Sequence, residues 1–333
     1  LGGNQIRIDQ KIINFTTLLV IGFLCYLPQL HAIARVQNVD NESGVGSPIN
    51  TFTTDTMDKG SWGVSERADY YNNRTFSYLK MLADPVAEGQ SGYFVNYLMI
   101  NYGLTDNLTI GGTLPYSSIR NLQISNGENS PLVTHLGNSS GVTNANMYAL
   151  WRLVDYDTHP LALALLLGVN TPTGANKIQD NTGALFPTSY QPATGAWAPM
   201  AGVVFSKYWK KIEISSNMLY IQNTLGTQNT ILGSLFDYNF ALVYELYTSK
   251  KTDFNINGVL ELNGEYAGKN KTNGIKDPYS GGNSIFLLPG LRANVNDTIS
   301  LYSAVTIPLN ESYNGSQVKT YYGVITGIDI SLG

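Results

Sequence analysis

The chain has one cysteine, Cys25, and it lies in the N-terminal segment. A body without cysteine excludes a disulfide framework as the means of holding the fold. Histidine is nearly as scarce: His31, His135 and His159 are too few and too scattered to make a metal centre an expectation, and no cofactor is expected either. Charge is thin as well. Asp, Glu, Lys and Arg make up 13% of residues, where about a quarter is usual in soluble proteins. The net charge is −4 with no basic block, which argues against nucleic acid as a partner. Long apolar runs are missing after the N-terminal segment, and a membrane helix needs about 20 consecutive apolar residues. A bundle of membrane helices is therefore excluded, in keeping with a mean hydropathy near zero.

What the sequence has in quantity is glycine (33) and tyrosine (22), a mixture suited to twisted strands, turns and polar–apolar boundaries. At the N-terminus, Leu18 to Leu27 form an apolar run, LLVIGFLCYL, preceded by Lys11 and followed by Ala32-Ile33-Ala34. Basic start, short apolar stretch and small–x–small ending are the marks of a secretory signal peptide over 1–34, cleaved near Ala34. Leu24 precedes Cys25 where a lipoprotein site needs a small residue. Residues 35–60 read as a polar periplasmic lead-in, ordered from Pro48 onward.

From residue 61 to the end, one pattern recurs. In 254–266, FNINGVLELNGEY, one face carries Phe254, Ile256, Leu260, Leu262 and Tyr266, and the other Asn255, Asn257, Glu261, Asn263 and Glu265. Successive strand side chains point to opposite faces, so such a strand has one apolar and one wet side. Twelve segments fit: 61–71, 92–103, 107–119, 142–154, 160–171, 197–207, 211–223, 234–247, 253–266, 283–294, 297–308 and 317–332. Soluble strands average about 5–6 residues; these have the length that a tilted strand needs to cross a bilayer. Two phases are soft. Glu66 shares a face with Trp62 and Val64, which calls for an interfacial position or a bulge, and 283–294 is ambiguous.

The links alternate short and long. Every second one is tight, at Thr105-Asp106, Asp155 to His159, Tyr208 to Lys210, Ser249 to Asp253 and Asn294 to Asp297. Tyr102, Tyr156, Tyr208, Trp209 and Tyr247 flank these turns, where an interfacial aromatic girdle belongs. An unpaired sheet edge in hydrocarbon costs several kcal/mol per group, so a membrane sheet must close on itself. The expected fold is all-β: a closed antiparallel up-and-down transmembrane barrel of about twelve strands, 61–333, with both ends on the short-turn side.

Several stretches resemble the outer-membrane channel family named for the meta-pathway of phenol degradation. The residues that carry the likeness are Pro48-Ile49-Asn50-Thr51 leading to Lys59-Gly60-Ser61-Trp62-Gly63; Tyr102-Gly103-Leu104-Thr105-Asp106-Asn107-Leu108-Thr109-Ile110-Gly111 with Leu114-Pro115-Tyr116; Leu136 to Val142; Leu167 to Gly174; and Gln191-Pro192 with Gly195-Ala196-Trp197. They follow the family's order over most of the mature chain. The resemblance implies an outer-membrane barrel with a transport function, linked to uptake of aromatic or hydrophobic compounds, and implies no catalytic residues.

The charges assigned to inward positions are Arg67, Asp69, Arg152, Glu213, Asp237, Glu245, Glu261, Glu265, Arg292, Lys319 and Asp329. They are candidates to line a pore. Acidic residues lead, so the lumen is expected to favour cations or neutral solutes; the alternative is that the charges pair across the lumen and fill it. Loop 172–196 reads as a surface loop, with an inward constriction as the alternative. Residues 76–87 fit a short amphipathic helix over the barrel mouth. Gly137-Asn138-Ser139-Ser140-Gly141 matches a nucleophile elbow by letter, but an elbow needs a strand before it and a helix after it, and a tight turn fits better here. The expected function is a passive channel for small hydrophobic or aromatic solutes. A plugged structural or surface-interaction barrel and an outer-membrane hydrolase are the alternatives. Expected partners are outer-membrane lipid, the permeating solutes and the barrel-assembly machinery. That machinery ordinarily reads a terminal aromatic; here the end reads Ile330-Ser331-Leu332-Gly333, so either a weaker signal using Leu332 and Tyr322 or a truncated end is expected.

Overall fold

The computed structural model describes residues 48–84, 86–125, 132–156 and 159–333. The expected signal peptide and the lead-in up to residue 47 lie outside the described residues.

Twelve strands form the wall. They are β1 (Trp62–Arg74), β2 (Gly92–Thr105), β3 (Leu108–Ser125), β4 in two stretches (Val133–Val142 and Asn146–Val154), β5 (Ala162–Asn170), β6 (Ala198–Trp209), β7 (Ile212–Ile221), β8 (Leu235–Ser249), β9 (Phe254–Ala267), β10 (Gly282–Asn294), β11 (Ile299–Tyr313) and β12 (Lys319–Leu332). Each pairs antiparallel with its neighbours in sequence, and β12 returns to β1 with Trp62 opposite Leu332 and Val64 opposite Ile330. The sheet thus has no free edge along its span, as hydrocarbon requires. All twelve segments read from the alternation are strands of this ring. A short helix, α1 (Tyr78–Ala83), follows β1 and is capped by Ser77, whose hydroxyl accepts from the Lys80 amide. Beyond the wall on the long-loop side, Thr230–Ile231, Lys271–Thr272 and Ile275–Lys276 form a small three-stranded sheet.

The polarity of the wall is inverted relative to a soluble protein. On β9, Leu260 and Leu262 are 44% and 42% exposed, while Glu261 between them is fully buried. On β1, Trp62 and Tyr70 face outward while Arg67 and Asp69 are buried. Water would penalise both choices; a lipid exterior and a polar interior favour both. Glu66 faces outward with no bulge to turn it, since β1 and β2 pair without a break from Trp62 to Asn72. Its carboxylate is bonded by the side-chain amide of Asn96 on β2.

Large aromatic rings lie over glycines directly across the ladder, the first of these pairs on the lipid-facing side and the other two inside. Tyr238 faces Gly264, Tyr302 faces Gly327 and Tyr148 faces Gly111. A Cβ on Gly264 would fall 2.0 Å from the Tyr238 ring. The Gly264→Ala substitution is therefore expected to expel that ring and cost about 1–3 kcal/mol, read as a lower urea midpoint for the refolded barrel.

Two segments fill much of the interior. Pro48 to Met57 do not trail into the periplasm as a lead-in; they run inside the barrel, with Ile49, Thr51, Phe52, Thr53 and Thr54 essentially inaccessible. The wall's polar inner face supplies hydrogen bonds that this polar segment would otherwise take from water. From the opposite end, loop 171–197 folds inward rather than lying on the surface. Its Phe186 and Tyr190 pack with Tyr93, Tyr97, Ile119 and Leu122.

Candidate functional site

The candidate site is the lumen. Its floor is the segment 48–57, held by charged groups from several strands. Glu261 on β9 accepts from the Asn50 amide at 2.9 Å, from the Thr51 hydroxyl at 2.6 Å and from the Ile49 amide. Arg67 on β1 donates to the Ile49 carbonyl at 3.2 Å and to Asn50 Oδ1 at 3.0 Å. Arg292 on β10 donates to the Pro48 carbonyl at 3.2 Å. One anion thus collects the segment's donors, and two cations collect its acceptors. Further down, the Phe52 amide donates to Asn217, the Thr54 amide to Ser206 and the Met57 amide to Thr109. The Tyr208 hydroxyl donates to Asp55.

Each arginine is itself neutralised. Arg67 forms a bidentate pair with Asp69, at 2.7 and 2.8 Å. Arg292 pairs with Asp329 on β12, donates to Ser300 at 2.9 Å and stands 4.5 Å from the centre of the Tyr302 ring. A buried charge is tolerated when its remaining donors and acceptors are matched, and each guanidinium here meets a carboxylate and a carbonyl.

Above this floor, towards the long loops, lies a small cavity of about 80 Å³. Its wall carries Asp69, Asp237 and Glu265, the amides of Asn50, Asn239 and Asn263, and the rings of Tyr71, Tyr93, Tyr97 and Phe286. Beside it the inward loop is tied to the wall by Tyr190, whose hydroxyl donates to Glu88. Burial, and then the adjoining Glu88 carboxylate, hold the Tyr190 phenol well above its ordinary pKa, so it remains a donor through the physiological range.

The candidate charges therefore fall into groups. Arg67, Asp69, Glu261, Arg292 and Asp329 meet at the floor, and Asp237 and Glu265 face the cavity. Glu213 faces inward lower down, where the Ser215 hydroxyl donates to it at 3.0 Å. Arg152 sits at the short-turn rim, 3.3 Å from Asp155 and donating to the Asp106 carbonyl. Two assignments need correction. Lys319 is exposed on the outer side, because a bulge at Tyr321–Tyr322 shifts the phase of β12 between Lys319 and the buried Gly323. Glu245 lies in an exposed ion pair with Lys211 at 3.0 Å, next to a register shift at Leu246. The strand's fraying end brings it to the rim rather than into the lumen. Residues that the sequence reading did not single out are Asn50 and Asp55 of the segment, and Glu88 with Tyr190. The segment's only signal was its retention of buried-type residues, Ile49, Phe52 and Met57, among hydroxyls.

Glu261→Gln keeps the shape and removes the charge. Hydrogen bonds to charged groups contribute about 1.5–3 kcal/mol each. The variant is expected to loosen the segment while leaving the barrel folded, seen as more frequent open events in single-channel traces with an unchanged urea midpoint.

Ser139, the central residue of the Gly137–Gly141 stretch, lies within the first stretch of β4. The segment continues as strand to Val142, so the strand-to-helix turn of a nucleophile elbow is not formed there. No group of three or more potential metal ligands is found among the described residues.

The wall closes through β1 and β12, its outer band is apolar, and its turns are short on one side and long on the other. This is the fold of an outer-membrane barrel. A solved structure entitled an outer membrane channel of COG4313 from Pseudomonas putida F1 is similar, with a TM-score of 0.59 and 14% identity over 87% of this chain and 100% of that one. Weaker similarities are to the KdgM porin, with a TM-score of 0.41 and 9% identity over 81% of this chain and 99% of that one, and to the NanC porin, with a TM-score of 0.41 and 8% identity over 80% and 98%. No family model matches the chain. No curated protein matches it either.

Proposed function

We propose that this barrel is an outer-membrane channel for passive passage of small hydrophobic or aromatic solutes. The supporting observation is a lumen narrowed by two chain segments held non-covalently rather than filled by the wall: the floor, 48–57, and the loop 171–197 are both held by hydrogen bonds and packing. Such contacts open without breaking the ring. In this reading Arg67, Asp69, Glu213, Asp237, Glu261, Glu265, Arg292 and Asp329 line or gate the path, and the solutes resemble those associated with the meta-pathway family. Export by a signal peptide cleaved near Ala34 and insertion by the barrel-assembly machinery belong to the same proposal.

The acidic groups facing the cavity support a preference for cations. In planar bilayers under a salt gradient, the reversal potential is expected to lie on the cation side, and Asp237→Asn is expected to move it towards zero. Anion preference in the parent protein would end this part of the proposal.

A second reading, a structural or surface-interaction barrel with a plugged lumen, is favoured by the same floor. Liposome swelling separates the two. Flux of small aromatic solutes supports the channel, and no flux across several solute classes supports the plugged barrel.

A further inference from the structure

Three cations stand together on the outer face of the wall, at the long-loop end of the seam. Arg74 ends β1, Lys319 begins β12, and the two are direct partners in the ladder. Residues directly opposite one another point to the same face. Both are exposed, while their chain neighbours Asn73 and Thr320 are buried. The bulge at Tyr321–Tyr322 is what turns Lys319 outward beside Arg74. Arg120 on β3 is also exposed on the outer face. It lies opposite Gly92 on β2, which lies opposite Asn72 on β1, so no side chain of β2 stands between Arg120 and the rim of β1.

None of the three has an ion-pair partner among the described residues. The outward positions around them, Asn72, Ser118, Tyr321 and Tyr322, include no carboxylate. Like charges directly opposite one another in a sheet are destabilising, so an anion between Arg74 and Lys319 would relieve a repulsion that the folded wall carries. The Arg74 guanidinium stands 5.7 Å from the centre of the Tyr321 ring, a contact that orients it without using its fork of N–H donors.

Height along the wall identifies the anion. β1 runs 13 residues from Trp62 at the short-turn end to Arg74. At about 3.3 Å per residue and a tilt of about 40°, it rises about 30 Å. The apolar band of such barrels is about 25 Å tall, so Arg74 and Lys319 stand just past its edge, level with lipid headgroups. Tyr70, Tyr116 and Tyr322 are exposed on the outer face beneath them, followed by Leu98 and Leu114. Tyrosine rings mark the boundary between headgroup and acyl chain. Long loops face the outside in bacterial barrels, which places these cations in the outer leaflet.

We propose that Arg74, Lys319 and Arg120 bind a phosphorylated, multiply acylated glycolipid of the outer leaflet. One phosphate lies between Arg74 and Lys319 and a second at Arg120, two strands or about 10 Å across the sheet. The acyl chains lie on the tyrosine and leucine face below. Arginine forks match phosphate oxygens in geometry and charge. The site is outside the barrel and stands whatever the lumen carries.

Binding is measured on the full chain, folded in detergent, by native mass spectrometry. The probes are bisphosphorylated lipid A, lipid A stripped of both phosphates, phosphatidylglycerol and inorganic phosphate. Bisphosphorylated lipid A is expected to be retained at least about 10-fold more strongly than the stripped lipid or phosphatidylglycerol. Arg74→Gln with Lys319→Gln is expected to weaken its retention by at least the same factor, with heat-modifiable migration on gels reporting a folded barrel. Arg120→Gln is expected to weaken it several-fold and provides the readout if the double variant does not fold. Lys250→Gln with Lys251→Gln, exposed at the opposite rim, is expected to bind like the parent. Equal retention of stripped lipid A or phosphatidylglycerol, displacement of lipid A by inorganic phosphate alone, or an equal loss in the Lys250 and Lys251 variant overturns the site.

Discussion

Removing residues 48–57 is expected to raise single-channel conductance several-fold while the barrel still folds. The segment fills the lumen beneath the cavity and contributes no strand to the wall. Most of its hydrogen bonds are to side chains that would otherwise face water: Glu261, Arg67, Arg292, Asn217, Ser206, Thr109 and Tyr208. Once the segment is gone, water can take up those hydrogen bonds at little cost, since direct and water-mediated bonds differ modestly. The wall keeps its closed ladder, so the shift between heated and unheated gel mobility is expected to remain. Conductance unchanged by the deletion would mean that loop 171–197 alone closes the path.

The largest loss of stability is expected from Arg292→Met. Arg292 and Asp329 have side-chain exposures of 0% and 2%. Removing the cation leaves a carboxylate without its counter-charge in a buried position, at a cost of about 3–5 kcal/mol. The same substitution also removes the donor to the Pro48 carbonyl and the cation over Tyr302. Urea unfolding of the refolded barrel in detergent measures the effect. Adding Asp329→Leu is expected to restore most of the stability, because a well-packed apolar pair often equals the ion pair it replaces. A double variant as unstable as the single one would place the loss in the contacts to Pro48 and Tyr302 instead.

The wall was legible in the sequence because lipid on one side and water on the other force strict alternation over long runs. Leu260-Glu261-Leu262-Asn263 has a single phase that satisfies both media. The interior was legible only in part. On β2, Tyr93, Val95, Tyr97 and Met99 face in, while Phe94, Leu98 and Ile100 face out. Both faces are apolar, so pattern alone cannot say which rings line the cavity. Lys319 was misplaced by a bulge, which shifts the phase without a marker in composition. The floor escaped because half of its residues carry hydroxyls or an amide, which water would accept equally well. Only three-dimensional proximity to Glu261, about two hundred residues away in sequence, makes them interior residues. The acidic pair facing the cavity was individually visible as Asp237 and Glu265, but their adjacency depends on the β8–β9 register.

The seam between the first and last strands has a consequence for how the molecule is made. Asp329 lies on the final strand and completes the charge of Arg292, and Arg292 in turn grips Pro48. Until β12 arrives, one of the two cationic clamps lacks its counter-charge and the ring stands open beside β1. Completing the Arg292 clamp and sealing the wall are therefore a single event, reached only when β12 meets β1. A nascent barrel stalled before that event would be leaky and unlatched together.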